Sequence, residues 1–101
     1  MTGDPWTDAA LLGQAAAGDS KASRELVSRN LGPVVAFAWR LLGDRAMAED
    51  VAQEAFLRLW RVAGRWEPRA RLRTWLMTVA HNLCMDQLRR RREDVLTEAD
   101  E

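Results

Sequence analysis

Arginine is the residue type whose spacing here first points to chemistry. Four stand in a row, Arg89 to Arg92, and four more lie at Arg65, Arg69, Arg71 and Arg73. The guanidinium is a planar fork that suits phosphate oxygens and offers a flat face to a base. Four in succession reach every side of a helix, as a contact that tracks a phosphate backbone requires. The same run at a helix C-terminus also complements the helix dipole. Between the two groups lie Thr74, Met77, Thr78, His81, Asn82, Met85 and Asp86. That surface holds hydroxyls, an amide and thioethers where a solvated helix would carry Glu and Lys. One or two of the five tryptophans near the basic block are candidate stacking platforms for a base.

A second group differs in character. On a helix, Asp50, Gln53, Glu54, Leu57, Arg58 and Arg61 share one arc. Leu57 is the only large apolar residue there. An exposed Leu flanked by acids is a candidate anchor for a partner, with the carboxylates steering a basic surface. The competing reading is a plain solvated face.

Catalytic chemistry is missing. The chain has no Gly-rich phosphate loop, no HExxH, no CxxC and no GxSxG. His81 has no Cys or carboxylate arranged for a triad. Cys84 falls near the edge of an apolar seam and reads as a semi-buried, inert thiol. Glu49 and Asp50 diverge by about 100° on a helix and would not converge on one metal ion. No enzyme activity, cofactor or metal is expected.

The chain has 101 residues, 48% apolar and 30% charged, which fits one small globular domain. No apolar run nears the ~20 residues of a membrane span. The N-terminus lacks a secretory signal, and a lone cysteine leaves no internal disulfide. A cytoplasmic protein is expected. The net charge of zero hides segregation. Residues 1–50 carry seven acids and five bases, residues 51–92 three acids and ten bases, and residues 93–101 five acids and no base. A +7 block inside a neutral chain is the footprint of a polyanion site. Fourteen of the fifteen bases are Arg.

The elements that must position these residues are helical, because strand signals are nearly absent. The expected fold is all-α, a compact bundle of four helical segments. The first runs from about Thr7 to Ala17, capped by Thr7 or Asp8 and stopped by Gly18. The second starts after Asp19 or Ser20 and reaches Leu42, kinked or split at Gly32-Pro33. The third spans Ala46 to Ala63. Its apolar arc is Ala48, Val51, Ala52, Ala55, Phe56, Leu59, Val62 and Ala63, with Trp60 at the edge. The fourth spans Leu72 to Arg92, with Leu72, Trp75, Leu76, Val79, Ala80 and Leu83 facing the core. Most of the five tryptophans are expected in the core. Residues 1–7 read as a tail, 8–92 as the domain, and 93–101 as an acidic linker or disordered end.

The stretch Gly43-Asp44-Arg45-Ala46-Met47-Ala48-Glu49-Asp50 through Gln53-Glu54-Ala55-Phe56-Leu57 to Trp60 resembles region 2.2 of bacterial sigma factors, within the small extracytoplasmic-function (ECF) group. Arg71-Leu72-Arg73-Thr74-Trp75-Leu76 and Ala80-His81-Asn82-Leu83-Cys84-Met85-Asp86-Gln87-Leu88-Arg89-Arg90 resemble that group's regions 2.3 and 2.4. The resemblance covers about residues 8 to 92. It implies an all-helical sigma-2 domain that binds RNA polymerase core through the clamp coiled coil of the β′ subunit. The matching positions are Asp50, Gln53, Glu54, Leu57 and Arg61. It also implies recognition and melting of the promoter −10 element by holding bases of the non-template strand. The matching positions are Arg69, Arg71, Arg73, Thr74, Trp75, Thr78, His81, Asn82, Asp86, Arg89 and Arg90. Housekeeping sigmas carry a second aromatic where this chain has Leu76, so weaker melting and stricter promoter choice are implied. A −35-reading region 4 domain is absent from the sequence, which reads as an excised domain or a truncated factor. Sequestration by an anti-sigma factor is a family habit. Two alternatives remain: a stand-alone helical binder of single-stranded nucleic acid, and a pure interaction domain held by an anti-sigma factor.

Overall fold

The computed structural model describes residues 7–65 and 71–99. Its first three helices begin where the sequence places short polar side chains. The Thr7 hydroxyl accepts the Ala10 N–H at 3.2 Å and opens α1, Asp8–Ala16. Asp19 accepts from the N–H groups of Lys21 and Ala22 at 2.9 and 3.3 Å and opens α2, Ser20–Leu42. Asp44 accepts from Met47 at 3.1 Å and opens α3, Arg45–Val62. Each cap satisfies donors that a first turn cannot pair internally. Gly43 joins α2 to α3 at φ 69°, a left-handed conformation that costs glycine no Cβ clash. A 3-10 turn, Ala63–Arg65, follows α3, and α4 spans Leu72–Ala99. The described residues contain no strand, and the fold is all-α with four helices.

Core rows follow four-residue steps. In α2 the buried row is Ala22, Leu26, Asn30, Val34, Ala38 and Leu42. In α3 the expected arc is buried from Ala48 to Leu59. In α4 the row is Leu72, Leu76, Ala80 and Cys84. Steps of four wind about 40° each, so a buried row drifts around its helix. That drift carries Cys84 from the expected seam edge to full burial. The rows are rich in Ala, so the helices approach closely and leave little room for indoles. Trp60 and Trp75 therefore sit half-buried against the core. Trp39 is exposed, with the Arg45 guanidinium 5.2 Å from its ring centre. Trp6 and Trp66 lie outside the described residues.

Of the two outcomes expected at Gly32-Pro33, a kink or a split, the split does not occur, and Pro33 lies inside a continuous helix. The carbonyl that Pro33 leaves without an N–H, that of Arg29, accepts instead from Arg73 Nη2 at 2.8 Å. One expectation about a helix end needs correction. α4 does not end at Arg92 but continues through Ala99. No Gly or Pro follows Arg92 to stop it. These last turns leave the bundle, with Val95 and Leu96 62% and 59% exposed. The arginine run thus lies inside a helix, and the C-terminal dipole does not account for it.

Candidate functional site

α3 presents its outer face beside α2. Asp50, Gln53 and Leu57 line an open groove whose opposite wall is Val27, Leu31 and Val35 of α2. Glu49, Phe56 and Trp60 complete the lining, the two rings 6.0 Å apart and tilted. Leu31 and Leu57 are 40% and 44% exposed, so two large apolar side chains on neighbouring helices meet solvent in one groove. Asp50 makes no ion pair among the described residues. Glu54 and Arg61 share the α3 face but do not line the groove. The Glu54 carboxylate meets Arg58 at 3.2 Å and Arg61 at 3.7 Å. The α2 wall was not anticipated. Its signal was the spacing of Val27, Leu31 and Val35, a second apolar row beside the buried one.

α4 offers a different surface. Thr74, Met77, Thr78 and His81 line a shallow hollow closed on the other side by Phe37 of α2 and at one end by Arg73. The His81 and Phe37 rings lie 6.4 Å apart at 43°. The Thr78 hydroxyl donates to the Thr74 carbonyl at 2.9 Å, which leaves its oxygen free to accept. Apolar rings beside hydroxyls and an imidazole suit a flat heterocycle with polar edges. Asn82 is exposed on the same helix. Trp75 packs against the core and is not part of the hollow. Phe37 went unanticipated because it comes from α2, distant in sequence.

The arginines divide by partner. Arg73 is held by α2, through the Arg29 carbonyl and through Asn30 Oδ1 at 3.1 Å. Arg91 Nη1 donates to the Leu42 carbonyl at 3.0 Å, at the C-terminal end of α2. Asp86 pairs with Arg89 and, at 3.0 Å, with Arg90, so one carboxylate gathers two cations on the exposed side of α4. Arg71 is exposed at the α4 N-terminus. Arg69 lies outside the described residues.

The Sigma-70 region 2 family model matches residues 26–93. The chain belongs to that family. Both surfaces lie inside the matched segment, while α1 and the last turns of α4 lie outside it. Among curated relatives, the chain is 40% identical over 75 residues to the RNA polymerase sigma factor CarQ of Myxococcus xanthus, covering 74% of this chain and 43% of that protein. It is 31% identical over 83 residues to the ECF RNA polymerase sigma factor SigW of Bacillus subtilis, covering 82% and 44%. It is 41% identical over 76 residues to the ECF RNA polymerase sigma factor SigL of Mycobacterium tuberculosis, covering 74% and 43%. The ECF resemblance is borne out by these names. The chain spans less than half the length of the relatives it matches. No solved structure gives a significant match. Among the described residues, no helix is long and apolar enough to cross a membrane.

Proposed function

We propose that this chain is the polymerase-binding and −10-recognising part of a cytoplasmic transcription initiation factor of the ECF group. The observation that carries the reading is the pairing of two unlike surfaces on one helical bundle. The groove between α2 and α3 combines exposed Leu31 and Leu57 with a rim of Asp50 and Gln53. It fits a basic amphipathic helix pair, and the β′ clamp coiled coil is the partner assigned to it. The leucines supply desolvated anchors and the carboxylates steer encounter. A sequestering anti-sigma factor would act by covering this groove.

The α4 surface is assigned to the non-template strand of the −10 element. Taking a base out of the stack costs a few kcal/mol. Contacts with aromatic side chains return about 1–3 kcal/mol per base, and Phe37 with His81 is the ring pair available. Arg71, Arg89 and Arg90 add phosphate attraction without sequence information. Arg69, Asn82, Trp75 and Asp86 complete the assignment, Trp75 as an indirect support and Asp86 as the holder of Arg89 and Arg90. A domain this small binds promoter DNA weakly by itself, so polymerase must present the opened strand. The chain contributes binding and positioning, and bond formation belongs to polymerase.

The test is capture of polymerase core, or of an isolated β′ clamp fragment, by the wild-type chain and by Asp50→Arg/Glu54→Arg. The exposed ion pairs of Glu54 contribute little to folding, so the variant should remain helical. Capture that the variant loses supports the assignment. Capture that it retains contradicts it. No capture by the wild type at low salt moves the stand-alone nucleic-acid binder to first place.

A further inference from the structure

Pro33 leaves a gap in the hydrogen-bond ladder of α2, since proline has no N–H for the carbonyl four residues back. Arg73, in the first turn of α4, fills it. Its Nη2 donates to the Arg29 carbonyl at 2.8 Å, and its Nε donates to Asn30 Oδ1 at 3.1 Å. Asn30 is fully buried, the one polar member of the buried α2 row. Its amide donates to the Leu26 carbonyl at 2.9 Å and reaches Asp8 Oδ2 of α1 at 3.4 Å. Asp8 also meets Arg29 at 3.6 Å. Three helices are therefore tied at one point, and Arg73 is the tie from α4.

We propose that Arg73 is a positioning residue for single-strand capture, setting the register of α4 against α2, and not a phosphate contact. The inference rests on the assignment of the α4 hollow to the single strand. That hollow has one wall from each helix, Phe37 on α2 and Thr74, Thr78 and His81 on α4. Its shape therefore depends on how the two helices are placed. Arg73 stands at its end and is the residue just before Thr74. Two of its donors, set in a rigid fork, already meet two protein acceptors. This geometry belongs to Arg and not to Lys, whose ammonium is a point charge on a flexible stem.

The two roles give opposite results with a conservative variant. A phosphate contact works through charge and survives Arg73→Lys, while its removal lowers the slope of log affinity against log salt by about one. A two-acceptor fork does not survive Arg73→Lys, and its loss leaves the salt slope unchanged. Buried Asn30 has no access to DNA, so a loss of fork binding in a folded Asn30→Ala chain acts through packing and not through a phosphate contact.

The experiment measures binding of polymerase core supplied with the full chain to a forked duplex with a randomised single-stranded arm. A fully paired duplex of equal length serves as reference, both across a salt series. Circular dichroism confirms that each variant is folded. Arg73→Lys and Asn30→Ala are each expected to weaken fork binding about tenfold, which is about 1.4 kcal/mol. Duplex affinity and salt slope should remain those of the wild type. Adding Pro33→Ala to Arg73→Lys should recover part of the loss, because the restored N–H at position 33 pairs the Arg29 carbonyl. Wild-type fork affinity in Arg73→Lys overturns the proposal. So does a parallel loss on fork and duplex with a shallower salt slope in Arg73→Met. A wild-type polymerase complex that does not prefer the fork to the duplex instead refutes the single-strand assignment, and this inference with it.

Discussion

At the residue scale, the arginines show how far a sequence pattern carries. Their number and clustering marked a basic surface, but not which of them are free to act on it. Arg73 and Arg91 both serve backbone carbonyls of α2, at Pro33's gap and at the helix end. Those acceptors are more than forty positions away in sequence, so no local spacing reveals them. Two local signs were present nonetheless. Asn30 is a polar residue in an apolar row of four-residue steps, and Pro33 sits mid-helix with a carbonyl to be satisfied. Either one asks for a partner from elsewhere in the fold. Cys84 gives a second residue-scale prediction. Burial raises its thiol pKa above the ordinary 9.0. The folded state therefore holds the proton more tightly than the unfolded chain. That stability is fully present below the ordinary value and is lost as pH rises through the raised one. As pH rises past the ordinary thiol value the denaturation midpoint should fall in the wild type, and fall less in Cys84→Ala. Equal pH dependence in both chains would contradict the burial argument.

At the element scale, α3 was legible from period alone. The arc from Ala48 to Leu59 is buried and the Asp50, Gln53 and Leu57 side is open. Thr7 and Asp19 were each one of two candidate caps, and both cap their helices, while the cap at Asp44 was not singled out although it too is a short acceptor before an apolar-periodic run. α4 was less legible, for two reasons. Its buried line drifts with i+4 steps, which a fixed helical wheel blurs. Its acidic end reads as a linker on charge, and the helix runs on into it, because the sequence after Arg92 contains Glu, Leu and Ala and no helix stop. The two parts of α4 should differ in local stability. Amides around Leu76 to Cys84 are backed by buried side chains and should exchange with solvent only on global unfolding. Those after Arg92, where Val95 and Leu96 are exposed, should exchange by local fraying. Uniform protection along α4, measured by native-state hydrogen exchange, would mean that its last turns have a packing partner.

At the scale of the whole molecule, neutrality conceals function. Acids predominate in residues 1–50 and 93–101, and a +7 block occupies residues 51–92. The fold does not spread that block evenly. It commits Arg73 and Arg91 to helix packing and gathers Arg89 and Arg90 around Asp86. The acidic rim of the α2–α3 groove belongs to one surface, and the hollow beside His81 to another. The central claim is that these surfaces serve two different ligands in one assembly. The most direct measurement is capture of a forked promoter duplex by polymerase core supplied with the wild-type chain, with Asp50→Arg/Glu54→Arg, or with His81→Ala/Asn82→Ala. The account predicts that the first variant fails to join polymerase. The second should join it as the wild type does and fail to hold the fork. A fork held equally well with His81→Ala/Asn82→Ala, or polymerase joined equally well by Asp50→Arg/Glu54→Arg, would contradict it.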